Sequence, residues 1–293
     1  MLKTKARDRN YLKKYNKKEN LLNANNKIIF KRIASKHNIL TPKNISIIKK
    51  KDDLRKEIEN IKKTDIKYGF VVKPASGYSG NGVTLINKFN SEEQTFITSK
   101  NETLNYKQIL IKAKNILQGR HFYSNRNQDK IIIEQRIKPF IKVINNHISD
   151  IRIVSFLGFP VMAMLRIANK NSQGLSNINK GGIGIAINIK TGDIMHDNLT
   201  SKIVSERQIP NWDKLLKITT SCHDAYKLGY IAADFIIDNK LNPILIEINS
   251  RPGLKIQQIN NKSLSPRLKK IEKIIKTENL NNEQKISIAK KYF

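Results

Sequence analysis

The most informative part of the sequence is residues 244–253, Ile244-Leu245-Ile246-Glu247-Ile248-Asn249-Ser250-Arg251-Pro252-Gly253. Side chains alternate between the two faces of a strand, so Glu247 and Asn249 are predicted to share one face. The alternate positions, Ile246 and Ile248, are predicted to point into a core. An apolar-flanked pair of polar side chains running into Arg-Pro-Gly is an unusual way to build a solvated strand, which favours a binding role.

The segment before it, Asp234-Phe235-Ile236-Ile237-Asp238, reads as the partner strand of a hairpin. One available register brings Asp234 opposite Glu247. With Asn249, two carboxylates and an amide oxygen then form a hard oxygen cluster of the kind that suits Mg²⁺ bound to nucleotide phosphates. The alternative is a pair of surface acids that form ion pairs with lysines.

A second informative segment is Val71-Val72-Lys73-Pro74-Ala75-Ser76-Gly77-Tyr78-Ser79-Gly80-Asn81-Gly82. A lysine at a strand end followed by a glycine turn places one cation and several backbone N–H groups around phosphates. A tight β-hairpin that needs glycine for positive φ fits the same residues. The segment is not a Walker A loop, because no Gly-Lys-Ser/Thr precedes a helix. No His-Arg-Asp or Asp-Phe-Gly motif supports a protein kinase.

Length and composition indicate a globular protein of one large domain or two closely packed subdomains within 293 residues. The single cysteine, Cys222, excludes an intramolecular disulfide and favours a reducing, cytoplasmic location. No apolar run follows the charged start, so a signal peptide is not expected. The longest apolar stretch, residues 153–165, contains Gly158 and Pro160 and reads as a hairpin rather than a membrane span.

The charge balance of +31, from 55 Lys and Arg against 24 Asp and Glu, invites a nucleic-acid hypothesis. The excess is mostly lysine, is spread along the chain, and accompanies many Asn and Ile, which share adenine/thymine-rich codons with Lys. No zinc-finger, RRM or homeodomain signature is present. A nucleic-acid partner is therefore not expected, although a positive field attracts ATP and acidic substrates.

The pattern of apolar residues predicts alternating strands and helices in two α+β lobes. Residues 88–104 are predicted as a loop or variable insertion, and residues 1–25 as a basic segment that wraps on the surface. The predicted strands are 45–48, 70–73, 83–86, 131–133, 151–157, 161–167, 183–189, 231–237 and 244–249. The predicted helices are 27–37, 52–62, 106–117, 210–228 and an amphipathic tail from 265.

In order and spacing, these segments resemble ATP-grasp proteins. They are similar to the RimK-like α-L-glutamate ligases and, more closely, to the α-L-glutamate ligase-related (sugar-transfer-associated) ATP-grasp family. The resemblance runs from about residue 26 to residue 267. Its most specific stretches are Asp150-Ile151-Arg152-Ile153-Val154, Pro160-Val161-Met162-Ala163-Met164-Leu165-Arg166, Gly181-Gly182-Ile183-Gly184 and Glu247-Ile248-Asn249-Ser250-Arg251-Pro252-Gly253-Leu254.

The resemblance implies an α+β, ATP-grasp fold, in which two α+β lobes bind ATP in the cleft between antiparallel sheets. A full N-terminal pre-ATP-grasp domain is not expected before residue 26. The implied division is a basic N-terminal segment 1–25, a small lobe 26–130, a large lobe 131–262 that carries the metal site, and a basic helical tail 263–293.

The resemblance also assigns roles to matching positions. The lysines that reach ATP phosphates match Lys27 and Lys73. Beside them, Ser76, Gly80 and Gly82 of the glycine turn are the candidate phosphate-binding residues. Residues near adenine and ribose match Glu134, Gln135 and Asp150. A loop that contacts nucleotide and substrate matches Ser176, Asn177 and Lys180. The metal ligands match Asp234, Glu247 and Asn249, for Mg²⁺ (two ions, with Mn²⁺ as a substitute). Arginines that face the acyl phosphate or substrate carboxylate match Arg152 and Arg166, and Arg251 is assigned to the same charge.

The implied activity is ATP-dependent ligation of a carboxylate to an amine through an acyl phosphate, with glutamate or a peptide as substrate. Lys180 replaces the arginine of the glutamate-ligase loop and lacks its bidentate fork, which leaves the acid substrate open. A second copy or a partner protein is a candidate for completing the substrate site. The alternatives are an ATP-binding pseudo-enzyme or regulatory module, a tailoring ligase for a cell-surface glycan or peptide, and a basic nucleic-acid-binding protein.

Overall fold

The computed structural model describes residues 1–62, 69–77, 80–90, 92–99, 101–120, 129–141, 143, 149–169, 172 and 176–293. Within them the chain forms two compact units. The six-stranded unit comprises Asn26–Ile28 and Pro42–Lys138, and the five-stranded unit comprises Met1–Asn25, Ile29–Thr41 and Pro139–Phe293.

The six-stranded unit is an antiparallel sheet with the strand order β1-β6-β2-β3-β4-β5. Its strands are β1 (Asn44–Ile48), β2 (Phe70–Pro74), β3 (Thr84–Asn90), β4 (Thr95–Thr98), β5 (Thr103–Asn105) and β6 (Ile131–Gln135). The β-branched run of β6 sits between two neighbours, so Ile131 and Ile133 are fully buried against Phe96 and other apolar side chains of the core.

The five-stranded unit is a second antiparallel sheet with the order β11-β10-β7-β8-β9. Its strands are β7 (Ser149–Phe156), β8 (Phe159–Ile167), β9 (Ile183–Ile187), β10 (Tyr230–Ile237) and β11 (Pro243–Asn249). The predicted hairpin about Gly158 joins β7 to β8. Gly158 has a φ of 86°, a left-handed conformation that glycine adopts without steric cost.

In the part of the chain that the structure describes, four α-helices precede β1, three lie between strands and three follow β11. They are α1 (Thr4–Arg7), α2 (Lys13–Tyr15), α3 (Leu21–Asn25), α4 (Lys27–Lys36), α5 (Lys51–Lys62), α6 (Tyr106–Leu117), α7 (Trp212–Tyr226), α8 (Lys255–Ile259), α9 (Leu264–Ile274) and α10 (Asn282–Tyr292). Among the residues that the structure describes, no helix combines the length and the apolar character needed to cross a bilayer.

The five-stranded sheet buries both of its faces. On one face, Ile153 and Phe235 belong to a core that includes Leu216 and Cys222 of α7. On the other face, Phe156, Met162 and Met164 belong to a core that includes Leu264, Leu268 and Ile271 of α9. This second face changes from apolar to charged along the strands, and the charged part carries the candidate site.

Two regions differ from the sequence-based expectations. Residues 88–104 were predicted as a loop, but they contain the end of β3, all of β4 and the start of β5. The alternation of Phe96 and Thr98, both buried, with half-buried neighbours is a strand pattern that the surrounding polar residues obscured. The expected lobe boundary at residue 131 also differs, because β6 pairs with β1 and β2 and so lies in the six-stranded unit.

Candidate functional site

A row of charged side chains crosses the five-stranded sheet on one face. Strand register aligns Glu247 of β11 with Asp234 of β10, and Asp234 with Arg152 of β7. Cross-strand partners share a face, so the predicted pairing of Asp234 with Glu247 is confirmed by the backbone. Two positions further along, Asp150 of β7 lies opposite Arg166 of β8 on the same face.

Asp234 is the centre of this row and is only 1% exposed. The guanidinium group of Arg152 forms a bidentate pair with the Asp234 carboxylate, with Nε 2.7 Å from Oδ1 and Nη2 2.6 Å from Oδ2. Nη2 of Arg166 and Nδ2 of Asn249 each donate to Oδ2 at 2.9 Å. Burial by itself raises the pKa of Asp234, but the two arginines outweigh it and hold the pKa below its ordinary value.

Asp150 and Arg166 form the second buried pair of this face. Nε of Arg166 donates to Oδ1 of Asp150 at 2.6 Å, and the hydroxyl of Ser176 donates to Oδ2. Burial raises the pKa of Asp150 and the charge of Asp234 adds to this, whereas Arg166 and Ser176 act in the opposite direction. For Arg166, burial lowers the pKa, but Asp150, Asp234 and Glu247 together raise it above its ordinary value, so the side chain remains a cation.

Glu247 differs from Asp234 and Asp150 in its environment, because its side chain is half-buried rather than buried. No described residue donates a hydrogen bond to it or forms an ion pair with it. A β-bulge separates the pairing of Asp234 with Glu247 from the pairing of Phe235 with Leu245. Ile246 therefore stands at the bulge and is half-buried. Only Ile248 enters the core as predicted.

The oxygen set on this face fits a magnesium ion. The carboxylate of Glu247 has no hydrogen-bond or ion-pair partner in the described ranges. Asn249 uses its Nδ2 to bind Asp234, which leaves its Oδ1 available. In the described part of the chain, no three His, Cys, Asp or Glu side chains form a metal cluster by themselves. A cation here therefore needs the Asn249 amide and oxygens from outside the protein, as Mg²⁺ sites with phosphate ligands do.

The loop that precedes β9 is tied to this face by Ser176. Asn177 caps the short 3₁₀ turn Ile178–Lys180 by accepting a hydrogen bond from the Asn179 amide at 2.9 Å. Its carbonyl oxygen accepts from the amide of Gly182. A Cβ atom at Gly182 would lie 2.8 Å from the Ser176 carbonyl oxygen, so only glycine fits this close approach. Lys180 follows within the turn and is half-exposed.

Arg251, predicted to act on the acyl phosphate, is not part of the charged row. Its side chain is 64% exposed and forms an ion pair with Asp8 in the N-terminal segment. Arg7, which precedes Asp8, is buried and donates from Nη1 to the carbonyl oxygen of Pro252 at 2.7 Å. The N-terminal residues thus hold the chain segment that carries Arg251.

Asn16 connects the N-terminal segment to this region through three hydrogen bonds. Its Nδ2 donates to the carbonyl oxygens of Tyr230 at 2.7 Å and Ser250 at 2.8 Å, and its Oδ1 accepts from the Tyr230 amide at 2.8 Å. The hydroxyl of Ser250 donates to Oδ1 of Asn25. We call these contacts of residues 1–25 the N-terminal clamp. Sequence analysis missed the clamp, because its partners lie more than 200 residues away and leave no local signal.

The six-stranded unit holds the other predicted residues. Lys73 and Glu134, on neighbouring strands, are both buried, and Nζ of Lys73 lies 2.5 Å from Oε1 of Glu134. Their separate assignments to phosphate and adenine did not anticipate this ion pair. The amide of Gln135 donates to the carbonyl oxygen of Lys43, and its side chain is half-buried.

The glycine turn adopts the backbone that was predicted for it. Gly77, Gly80 and Gly82 all have positive φ, at 119°, 68° and 73°. The amide of Ser76 donates to the Asp129 carboxylate at 3.0 Å. Lys27 is joined to the start of the turn. Its amide donates to the Ala75 carbonyl at 2.7 Å and its Nζ to the Gly77 carbonyl at 3.4 Å. Tyr78 and Ser79 of the predicted turn lie outside the described residues.

Comparison with known proteins gives one family match. Residues 6–273 match the family described as sugar-transfer associated ATP-grasp. A search of the curated proteins found no match.

Three of the similar solved structures share little sequence identity with this chain. The RiPP-associated ATP-grasp ligase of Chryseobacterium gregarium, in complex with ADP and a leader and core peptide, is 14% identical over 92% of this chain and 64% of its own, with a TM-score of 0.50. The D-alanine–D-alanine ligase of Bacillus anthracis, complexed with ATP, is 17% identical over 92% and 68%, with a TM-score of 0.49. The biotin carboxylase domain of the Hydrogenobacter thermophilus 2-oxoglutarate carboxylase is 17% identical over 90% and 48%, with a TM-score of 0.49.

Proposed function

Because the chain belongs to the sugar-transfer-associated ATP-grasp family, we propose that it is an ATP-dependent ligase that uses Mg²⁺ to join a carboxylate to an amine. The observation that carries the proposal is the alignment of Asp234, Glu247 and Asn249 on one face of the five-stranded sheet. The Glu247 carboxylate in that row, to which no residue in the described part of the chain donates, supports a cation as its ligand. The RiPP-associated ATP-grasp ligase of similar fold, whose structure holds ADP, supports the nucleotide.

The proposed reaction has two steps. A carboxylate oxygen of the acid substrate attacks the γ-phosphorus of ATP, which forms an acyl phosphate and releases ADP. The amine then attacks the acyl carbon, and phosphate leaves as the amide forms. Magnesium, when bound, neutralises charge on the transferring phosphoryl group. No nucleophilic side chain is required, so the protein acts by positioning and by charge.

The protein groups divide these tasks between them. Glu247 and Asn249, with Asp234, are proposed to hold the metal. Arg166, buried and always protonated, supplies fixed positive charge for the acyl phosphate on the same face. Asp150 binds Arg166 and Ser176 rather than standing free, so we propose that it positions the arginine. Its predicted ribose contact would require it to leave Ser176.

Within the six-stranded unit, Lys27 and Lys73 are the cations proposed to bind nucleotide phosphates. The glycine turn is proposed to bring its backbone amides close to a phosphate, because Gly80 and Gly82 have positive φ and carry no side chain. Glu134 and Gln135 are proposed to lie near the adenine base. The carboxylate of Glu134 holds Lys73 until phosphate competes for that ammonium group.

An assay of phosphate release across amino acids and peptides tests the proposed function. We expect phosphate only when ATP, a carboxylic acid and an amine are all present, with one amide formed per phosphate. Release that needs no amine would contradict the ligase. Tight binding of Mg²⁺-ATP without turnover on any acceptor would favour a regulatory nucleotide-binding module.

Lys180→Arg is expected to change the preference for the acid substrate rather than nucleotide affinity. Arginine offers a bidentate fork to a carboxylate where lysine offers a single point charge, so kcat/KM for a dicarboxylic acid such as glutamate should rise roughly tenfold relative to a monocarboxylic acid. Lys190→Arg, the same change at an exposed turn of the same unit, is the control. An unchanged ratio of kcat/KM values would remove Lys180 from the substrate site.

A further inference from the structure

Asp234 and Glu247 are paired on the neighbouring strands β10 and β11, but they differ in their hydrogen-bond partners. Both oxygens of Asp234 are already bound, by the fork of Arg152, by Arg166 and by Asn249. Glu247 receives no hydrogen bond from any residue that the structure describes. Of the two carboxylates proposed to hold the metal, therefore, one is accessible to a ligand and the other is held by arginines.

The net charge of the cluster also disfavours binding of the free metal ion. Asp150, Asp234 and Glu247 provide three carboxylates, and Arg152 and Arg166 provide two guanidinium groups. Even with every carboxylate ionised, a single net negative charge remains. Magnesium gives up its water reluctantly and favours sites where carboxylates and phosphates together supply the charge. Such a cluster is a poor site for the free cation.

A triphosphate changes both the contacts of Asp234 and the net charge of the cluster. It brings several negative charges. Its phosphate oxygens fit the planar guanidinium group of an arginine as well as carboxylate oxygens do. Arg152 is the more accessible of the two arginines, because its side chain is 13% exposed compared with 7% for Arg166. It is thus the group best placed to exchange Asp234 for a phosphate.

We propose that Arg152 and Arg166 keep Asp234 from binding free Mg²⁺, and that the nucleotide's phosphates release Asp234 by taking over the arginine contacts. The inference rests on the proposed function, because it uses the same metal site. Its consequence is that metal and nucleotide bind with strong positive coupling, and that Arg152 sets the size of that coupling.

Mn²⁺ binding followed by electron paramagnetic resonance tests this directly, because the free aquo ion gives the signal and no turnover is needed. For the wild-type protein we expect the Mn²⁺ dissociation constant to fall by about tenfold or more when a non-hydrolysable ATP analogue saturates the protein, after correction for Mn²⁺ bound by the analogue alone. Equally tight binding with and without the analogue would overturn the inference alone. No protein-bound Mn²⁺ in either state would overturn the proposed metal site as well.

Arg152→Gln provides the second arm. Removing this cation should tighten Mn²⁺ binding without nucleotide by about tenfold and shrink the coupling. The double variant Arg152→Gln/Glu247→Gln should lose that gain, which locates the ion at Glu247. Lys240→Gln, which removes an exposed cation elsewhere in the same unit, should change nothing.

The melting temperature of each variant is measured alongside. Arg152→Gln leaves Asp234 bound to Arg166 and Asn249, so a folded protein is expected. Should it unfold, Arg152→Lys replaces it, because lysine keeps the charge and loses the fork. It should still reduce the coupling. A folded Arg152 variant with wild-type Mn²⁺ affinity in both states would contradict the role of this arginine.

Discussion

Glu247→Gln is expected to lower the ligation rate about a thousandfold, because a ligand charge of the metal site is lost and the metal supplies several kcal/mol to the transition state. Folding stability should stay within about 0.5 kcal/mol of the wild-type value. The reason is that no described residue pairs with the Glu247 carboxylate, and glutamine preserves its size. Loss of activity without loss of stability separates a ligand from a structural acid.

The measurement pairs phosphate release with chemical denaturation of the same preparation. Glu278→Gln is the matched control, since it is exposed, belongs to the same unit and undergoes the same change. It should leave both quantities unchanged. If Glu247→Gln retained full turnover, the assignment of Glu247 to the metal would be wrong, and with it the proposed use of Asn249.

Arg166→Met is expected to lower the free energy of unfolding of the five-stranded unit by about 3–5 kcal/mol, because it leaves buried carboxylates without their cation. Arg166 is the sole described cation bound to Asp150, and it shares Asp234 with Arg152. Methionine fills a similar volume, so the loss reports charge rather than a cavity. Urea denaturation of the variant measures it.

A second substitution identifies the cause of that loss. Arg166→Met/Asp150→Asn should recover part of the stability, because the orphaned charge is then removed together with its partner. Arg207→Met, at an exposed position, should be close to neutral. A loss below about 1 kcal/mol for Arg166→Met would mean that water reaches the pair and screens it.

Local patterns predicted most of the fold. The continuous apolar stretch 153–165, with Gly158 and Pro160 inside it, predicted the hairpin of β7 and β8, and the helix predicted at residues 106–117 is α6 with the observed bounds. The match of residues 6–273 confirms the ATP-grasp family and the α+β fold class that the ordered segments indicated. The closer likeness to glutamate ligases remains a prediction.

The candidate site was predictable to the extent that it follows from one hairpin. The register of β10 with β11 places Asp234 beside Glu247, and both strands are close in sequence. The pairing of Asp234 with Arg152 depends on the register of β10 with β7, which are about eighty residues apart. No local pattern encodes that register. The bulge at Ile246 likewise depends on how β11 fits its neighbour.

The N-terminal clamp has a consequence for the way the chain is synthesised. Residues 42–138 are contiguous, so the six-stranded unit has almost all of its partners once residue 138 is complete. Asn16, in contrast, can form its hydrogen bonds only after Tyr230 and Ser250 have been made, 214 and 234 residues later. The contacts of the five-stranded unit are therefore complete only after residues 230–250 have been made, later than those of the six-stranded unit.

The N-terminal segment, residues 1–25, is strongly basic. Residues 1–25 contain eight Lys and Arg against two Asp and Glu, and like charges keep an unpaired chain soluble. This excess of positive charge disfavours association of the N-terminal segment with other copies of itself before Tyr230 and Ser250 have been made. Its final docking fixes the backbone beside Ser250 and Arg251, so late closure of the N terminus also completes the region next to the proposed metal ligands.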